Sequence, residues 1–199
     1  MLRKILRNLF KRKSANRISG YYVRSMDSLE KWPDGGVVKY EGVVDNIQAD
    51  IVTGGDIKTS DNDLSWWFVN DLNPDTMNLL AASVISAYNK KAAEKINFIV
   101  IPCSELKDFS LEESPEHAYT AIPALRSAHY DMRGLTYKKV GLLLHIMCLA
   151  TSKGGGGFIR RIPYDIAFST LCSVREKGEI DEDKLGDWIR KQLNKTASK

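Results

Sequence analysis

The stretch NPDTMNLLAASVISAYNKKAAEKINFIVIP, residues 73–102, decides the fold class. Its first part predicts a helix. Asn73 can cap it, Pro74 suits the first helical position, and Asp75 favours the positive end of the helix dipole. Leu80, Val84, Ala87 and Tyr88 fall on one stripe. Its second part, INFIVI at 96–101, is apolar at five of six positions. That reads as a strand buried on both faces and stopped by Pro102. A helix that leads into a buried strand demands a sheet with helices packed against it.

Working outward, VVKYEGVVDNIQADIV at 37–52 alternates like a strand, and its parity changes near Asp45 and Asn46, which implies a turn or bulge. LSWWFV at 64–69 is a short apolar segment. LTYKKVGLLLHIMCLATSK at 135–153 predicts a second helix, ended by the glycine run 154–157. YDIAFSTLCSV at 164–174 alternates Ile166, Phe168, Thr170, Cys172 and Val174 against polar or small residues, which predicts a half-buried strand. DEDKLGDWIRKQL reads as a terminal helix capped by Asp181, with Leu185, Trp188, Ile189 and Gln192 on its packing side. Strands and helices mix without regular alternation. The expected class is α+β, an antiparallel or mixed sheet with helices packed on one face. At 199 residues, the expected organisation is an arm and linker at 1–20 and a single domain at 21–199.

The charge is unevenly divided. Arg3, Lys4, Arg7, Lys11, Arg12, Lys13 and Arg17 give the first 17 residues +7, and no acidic residue appears before Asp27. The rest holds 29 − 7 = 22 basic against 25 acidic residues, or −3. The basic character belongs to the arm, and a basic tail on a mildly acidic domain suits a polyanion or an anionic membrane. Leu2, Ile5, Leu6, Leu9 and Phe10 recur at helical spacing and share one face, with the basic residues on the other.

Three uses compete for such an arm. A nucleic-acid tail would use the cations but not the apolar stripe. A mitochondrial presequence is amphipathic, Arg-rich and acid-poor, as this arm is. A membrane surface uses both faces: the stripe enters the headgroup boundary, and each cation adds ~1 kcal/mol against an anionic leaflet. The candidate membrane-binding residues are therefore Leu2, Arg3, Lys4, Ile5, Leu6, Arg7, Leu9, Phe10, Lys11, Arg12 and Lys13.

Chemical motifs are sparse. SKGGGGF lacks the GK[ST] ending of a phosphate loop and follows a helix. Asp56, Asp61 and Asp63 are too few and wrongly spaced for a calcium loop. His117, His129 and His145 show no metal-ligand spacing, and no GxSxG occurs. No catalytic residue, metal, cofactor or small-molecule substrate is expected. Cys103, Cys148 and Cys172 each sit in an apolar run without CxxC spacing, which suits buried thiols in a reducing compartment. The longest apolar run, GLLLHIMCLA at 141–150, is about half the length a bilayer span needs. Trp66, Trp67 and Phe68, beside a polar loop, are the candidate self-association residues, since aromatics are enriched at interface centres.

The basic arm, the compact α+β domain and a chain near 200 residues resemble the matrix proteins of negative-strand RNA viruses, rhabdoviruses in particular. The segment KKVGLLLHIMCLATSKGGGGFIRRIPYDIAFSTLCSVREKGEI is similar in texture to the middle of lyssavirus-like matrix proteins: an apolar helix, a small-residue loop, then a basic-to-apolar strand. The likeness covers the arm and residues 137–180. It implies a non-enzymatic structural protein that binds the inner leaflet peripherally, self-associates and bridges to a nucleocapsid or RNA. It places the protein on the cytoplasmic face of a host membrane or inside a virion. No PPxY or PTAP budding motif occurs, which separates this chain from many animal members. An RNA-binding protein with a basic tail and an imported mitochondrial protein remain the alternatives.

Overall fold

The computed structural model describes residues 19–26, 63–89, 94–151 and 157–197. The arm, the 37–52 segment, Asp56, Asp61 and residues 154–156 of the glycine run lie outside them. Among the described residues six strands are β1 (Tyr21–Met26), β2 (Leu64–Val69), β3 (Lys95–Pro102), β4 (Ser110–Glu113), β5 (His129–Arg133) and β6 (Phe158–Pro163). Four helices are α1 (Pro74–Ser86), α2 (Tyr137–Thr151), α3 (Tyr164–Glu176) and α4 (Asp187–Ala197). The strands form one antiparallel sheet in the order β4-β5-β2-β1-β3-β6, so the class is α+β.

β3 is buried on both faces, as its sequence predicts. Phe98 and Val100 enter one core with Val23, Val69 and Ile162. Ile99 and Ile101 enter the other with Tyr22, Leu64 and Trp66. Period-two alternation in a strand carries side chains to opposite faces, and here both faces are covered. Three helices, α1, α3 and α4, share the first face. The apolar helix α2 covers the second face with Leu143, Leu144, Met147 and Cys148, so helices pack on both faces and not on one as expected, because β3 is apolar at both parities. Each fully buried Leu, Ile or Phe contributes about 1.5–3 kcal/mol of transfer free energy.

α1 begins as expected: the Asn73 side chain accepts from Thr76 N–H at 2.8 Å, with Pro74 in the first turn. The helix is buried almost all round, because it lies between the sheet and other segments. Its buried hydroxyls are satisfied by one of those segments. Ser83 Oγ lies 2.6 Å from Thr120 Oγ1, and Ser86 Oγ accepts from Ala121 N–H at 3.1 Å. Its far end meets the start of α4. Gly186 N–H donates to Ser86 O at 2.8 Å, and Ile189 N–H to Tyr88 O at 3.4 Å.

Residues 164–174 correct the sequence reading: they are helix, not strand. Ala167, Leu171 and Val174 are the fully buried positions, at i, i+4 and i+7, whereas Ile166 is 41 % exposed. The alternation was real, but a broad helical stripe that includes an alanine explains burial better. Pro163 ends β6 and immediately precedes the helix, whose first turn holds Asp165. Asp181 makes no side-chain cap. It receives Arg126 at 2.6 Å instead, and α4 starts six residues later.

Candidate functional site

β2 lies between β1 and β5, which settles where its aromatics go. Trp66 is fully buried in the second core, and its Nε1 finds no hydrogen-bond partner among the described residues. Trp67 is half-buried on the opposite face, edge-on to His129 with ring centroids 5.1 Å apart. Phe68 is half-buried and forms a trio with Tyr22 and Tyr130 at 5.6–5.8 Å. Of the three candidate self-association residues, Trp66 therefore serves the core, and any contact between folded copies through this segment falls to Trp67 and Phe68. The membrane-binding candidates Leu2 to Lys13 lie outside the described residues.

The structure assembles a polar cluster that spacing alone hid. His129 and Asp131 share one side of β5, the side opposite Met132 and Tyr130. Asp131 is 2 % exposed yet well partnered. Ser65 Oγ donates to its Oδ1 at 3.0 Å, from the strand next door. His117 Nδ1 lies 2.6 Å from its Oδ2, reaching over from the short 3-10 turn Pro115–His117. His129 is 4 % exposed, and its Nδ1 sits 3.0 Å from the Ser114 carbonyl. A carbonyl only accepts, so that nitrogen carries the proton. Ser114 Oγ lies 2.9 Å from the same nitrogen, and Ser114 N–H donates to His129 O at 2.9 Å. Ser114 stands just before the Pro115–His117 turn but makes no side-chain cap there; its hydroxyl goes to this cluster.

The electrostatics follow from burial and partners. The hydrogen bond to Asp131 raises the His117 imidazole above its ordinary 6.5. Burial lowers His129, which the Asp131 charge only partly offsets. Burial alone would raise Asp131, but hydrogen bonds from His117, Ser114 and Ser65 outweigh it and hold the carboxyl below its usual range. The two histidines thus pull stability in opposite directions. His117 contributes stability that is complete below pH 6.5 and is lost as pH rises through its folded value. His129 contributes stability that is complete above pH 6.5 and is lost as pH falls toward its folded value. A histidine-selective NMR titration should place the His117 midpoint above 6.5 and the His129 midpoint below it. Asp131→Asn should return His117 toward 6.5. A His117 midpoint at or below 6.5 in the native protein would refute the clasp.

Chemically the cluster is a fastener. A nucleophilic triad needs a hydroxyl or thiol at the outer nitrogen of the carboxylate-backed imidazole. His117 Nε2 instead has Glu116 Oε1 at 4.0 Å, while the two serine hydroxyls go to Asp131 and His129. Burial pushes the Cys103 and Cys148 thiols up to about 12, far from a thiolate nucleophile. Among the described residues no group of three or more His, Cys, Asp or Glu is placed to hold a metal ion. Also among them, no helix is long and apolar enough to cross a membrane. What the cluster does is pin residues 114–118 across β5 and β2. The one sequence signal for it was HYD at 129–131, where two polar residues occupy the inward parity of a strand.

No family model, curated protein or solved structure matches this chain.

Proposed function

We infer that this protein is a non-enzymatic, matrix-like structural protein. Its arm, Leu2 to Lys13, binds an anionic membrane peripherally, its domain self-associates, and the assembly bridges to a nucleocapsid or RNA at the inner face of that membrane. One observation carries this reading: +7 in the first 17 residues, interleaved with the apolar stripe Leu2, Ile5, Leu6, Leu9 and Phe10, ahead of a remainder at −3. The fold adds support. β1 starts at Tyr21, and Gly20 O already accepts from Cys103 N–H at 3.1 Å. Seven residues separate Lys13 from Tyr21. Fully extended they reach on the order of 25 Å, so a docked arm holds the domain against the surface.

The test separates lipid from RNA. Burying Leu6, Leu9 and Phe10 contributes about 1.5–3 kcal/mol each when complete, and partial insertion roughly half of that. The triple variant Leu6→Ser, Leu9→Ser, Phe10→Ser is therefore expected to bind anionic vesicles roughly thirtyfold or more weakly. Its affinity for RNA, which depends on charge, should change little. Lys11→Gln, Arg12→Gln, Lys13→Gln should weaken both. If the serine variant keeps its vesicle binding and RNA is the tighter ligand, the arm is a nucleic-acid tail. If the mature protein isolated from cells lacks the arm, the presequence alternative holds.

A further inference from the structure

The sheet has two outer edges, β4 and β6, and among the described residues no strand lies beside either. Their exposed side chains carry opposite charge: Glu112 and Glu113 on β4, Arg160 and Arg161 on β6. The hydrogen-bonding frame fixes which backbone groups face outward. Ser114 N–H donates to His129 O, in the register that pairs Glu112 with Asp131. Glu112 therefore turns its N–H and C=O inward, and Leu111 and Glu113 turn theirs out. On the other side Tyr164 N–H donates to Glu94 O, in the register that pairs Ile162 with Ile96 and Arg160 with Phe98. Ile159 and Arg161 turn theirs out.

We propose that the occupant of each edge is the opposite edge of a second copy, so that β6 of one molecule receives β4 of the next. Six strands, each antiparallel to its neighbour, make this fit direct. A copy in the same orientation presents its β4 antiparallel to β6 with matching faces. The outward groups then pair Ile159 with Glu113 and Arg161 with Leu111. Between them Arg160 stands opposite Glu112, on the side that carries Phe98 and Asp131 in each copy. That is a close, non-hydrogen-bonded pair of opposite charges, the stabilising arrangement for a cross-strand pair. On the other side Arg161 is diagonal to Glu113.

Self-pairing of either edge is disfavoured by the same register. Where Ile159 meets Arg161, two β6 edges set Arg160 against Arg160, and where Leu111 meets Glu113, two β4 edges set Glu112 against Glu112; the neighbouring registers still leave the like charges diagonal. The charges therefore select a head-to-tail contact, which does not close on itself and grows as an open chain. Glu112 already holds Arg133 at 3.1 Å, so in the assembly it lies between two guanidinium groups. Among the described residues Arg160 exchanges a 3.3 Å bond to the Leu72 carbonyl. Two narrow pairs give few main-chain bonds, so each contact is weak and gains from concentration on a surface.

The inference rests on the self-association in the reading above and names its interface. Sedimentation of the full chain over a concentration series tests it, with folding checked by thermal melts. The native protein should grow in mass without a fixed end point. Arg160→Glu with Arg161→Glu, and separately Glu112→Arg with Glu113→Arg, should each associate at least tenfold more weakly. An equimolar mixture of the two variants should recover association, because each then offers the edge the other lacks. Native protein that stays monomeric throughout would remove self-association, and this interface with it. Native association that both variants retain, or that ends at a closed dimer, would overturn the edge contact while leaving the broader reading in place.

Discussion

Trp66→Ala is expected to remove about 3–5 kcal/mol of stability, the cost of emptying a large buried aromatic site. Against a typical total of about 5–15 kcal/mol, that unfolds a large fraction of the molecules or brings them close to unfolding. Trp66 is fully buried on a strand that has neighbours on both sides, so its cavity cannot fill by a small edge movement. Its Nε1 has no partner among the described residues, so no hydrogen bond enters the cost, and Trp66→Phe should be much milder. Trp67→Ala, at a half-buried position, should also cost less. Urea unfolding followed by circular dichroism reads all three. A Trp66→Ala midpoint close to that of the native protein would contradict the placement of this side chain. Loss of association in that variant would report unfolding, not a disrupted surface.

Gly186→Ala should be the second severe change. A Cβ at this position would overlap the Tyr88 carbonyl and come within 2.8 Å of the Ala87 carbonyl carbon. These are backbone atoms at the end of α1, which cannot rotate away. The start of α4 must move, and the bonds from Gly186 to Ser86 and from Ile189 to Tyr88 stretch or break. Overpacking of this kind costs about 1–3 kcal/mol and occasionally more. Gly141→Ala is the matched control, because a Cβ there meets nothing within 4 Å on an exposed side of α2. Alanine in a helix interior should stabilise by roughly 0.5–1 kcal/mol. Calorimetric melting of the pair should therefore shift in opposite directions. Equal shifts would mean that α4 does not seat against the end of α1 as described.

The parts of the fold that were legible are those where local chemistry and burial agree. Asn73, Pro74 and Asp75 start α1 as their chemistry requires, and the apolar run at 96–101 is a strand covered on both faces. Residues 164–174 were not legible, because Ile166, Phe168 and Cys172 satisfy an alternating pattern while Ala167, Leu171 and Val174 satisfy a helical one. Only the packing of α3 on α1 and the sheet decides between them. The Asp131 cluster was hidden for a different reason. Its members come from β2, β5 and the 114–117 segment, and no spacing rule links Ser65, His117 and Asp131 before the sheet sets them side by side. Opposite charge on SLEE and FIRRIP was visible in the letters, but its meaning depends on both being sheet edges.

The strand order also has a consequence for how the molecule is made. Of the described strands β1 is made before the others, yet it is flanked by β2 and β3, and β2 waits for β5. The last strand, β6, begins only at Phe158 of 199 residues. No shorter nascent chain contains the finished sheet. From its own synthesis until Phe158–Pro163 is made, β3, among the most apolar segments of the chain, therefore has one side without its final neighbour, a state in which unpaired strands attract wrong partners.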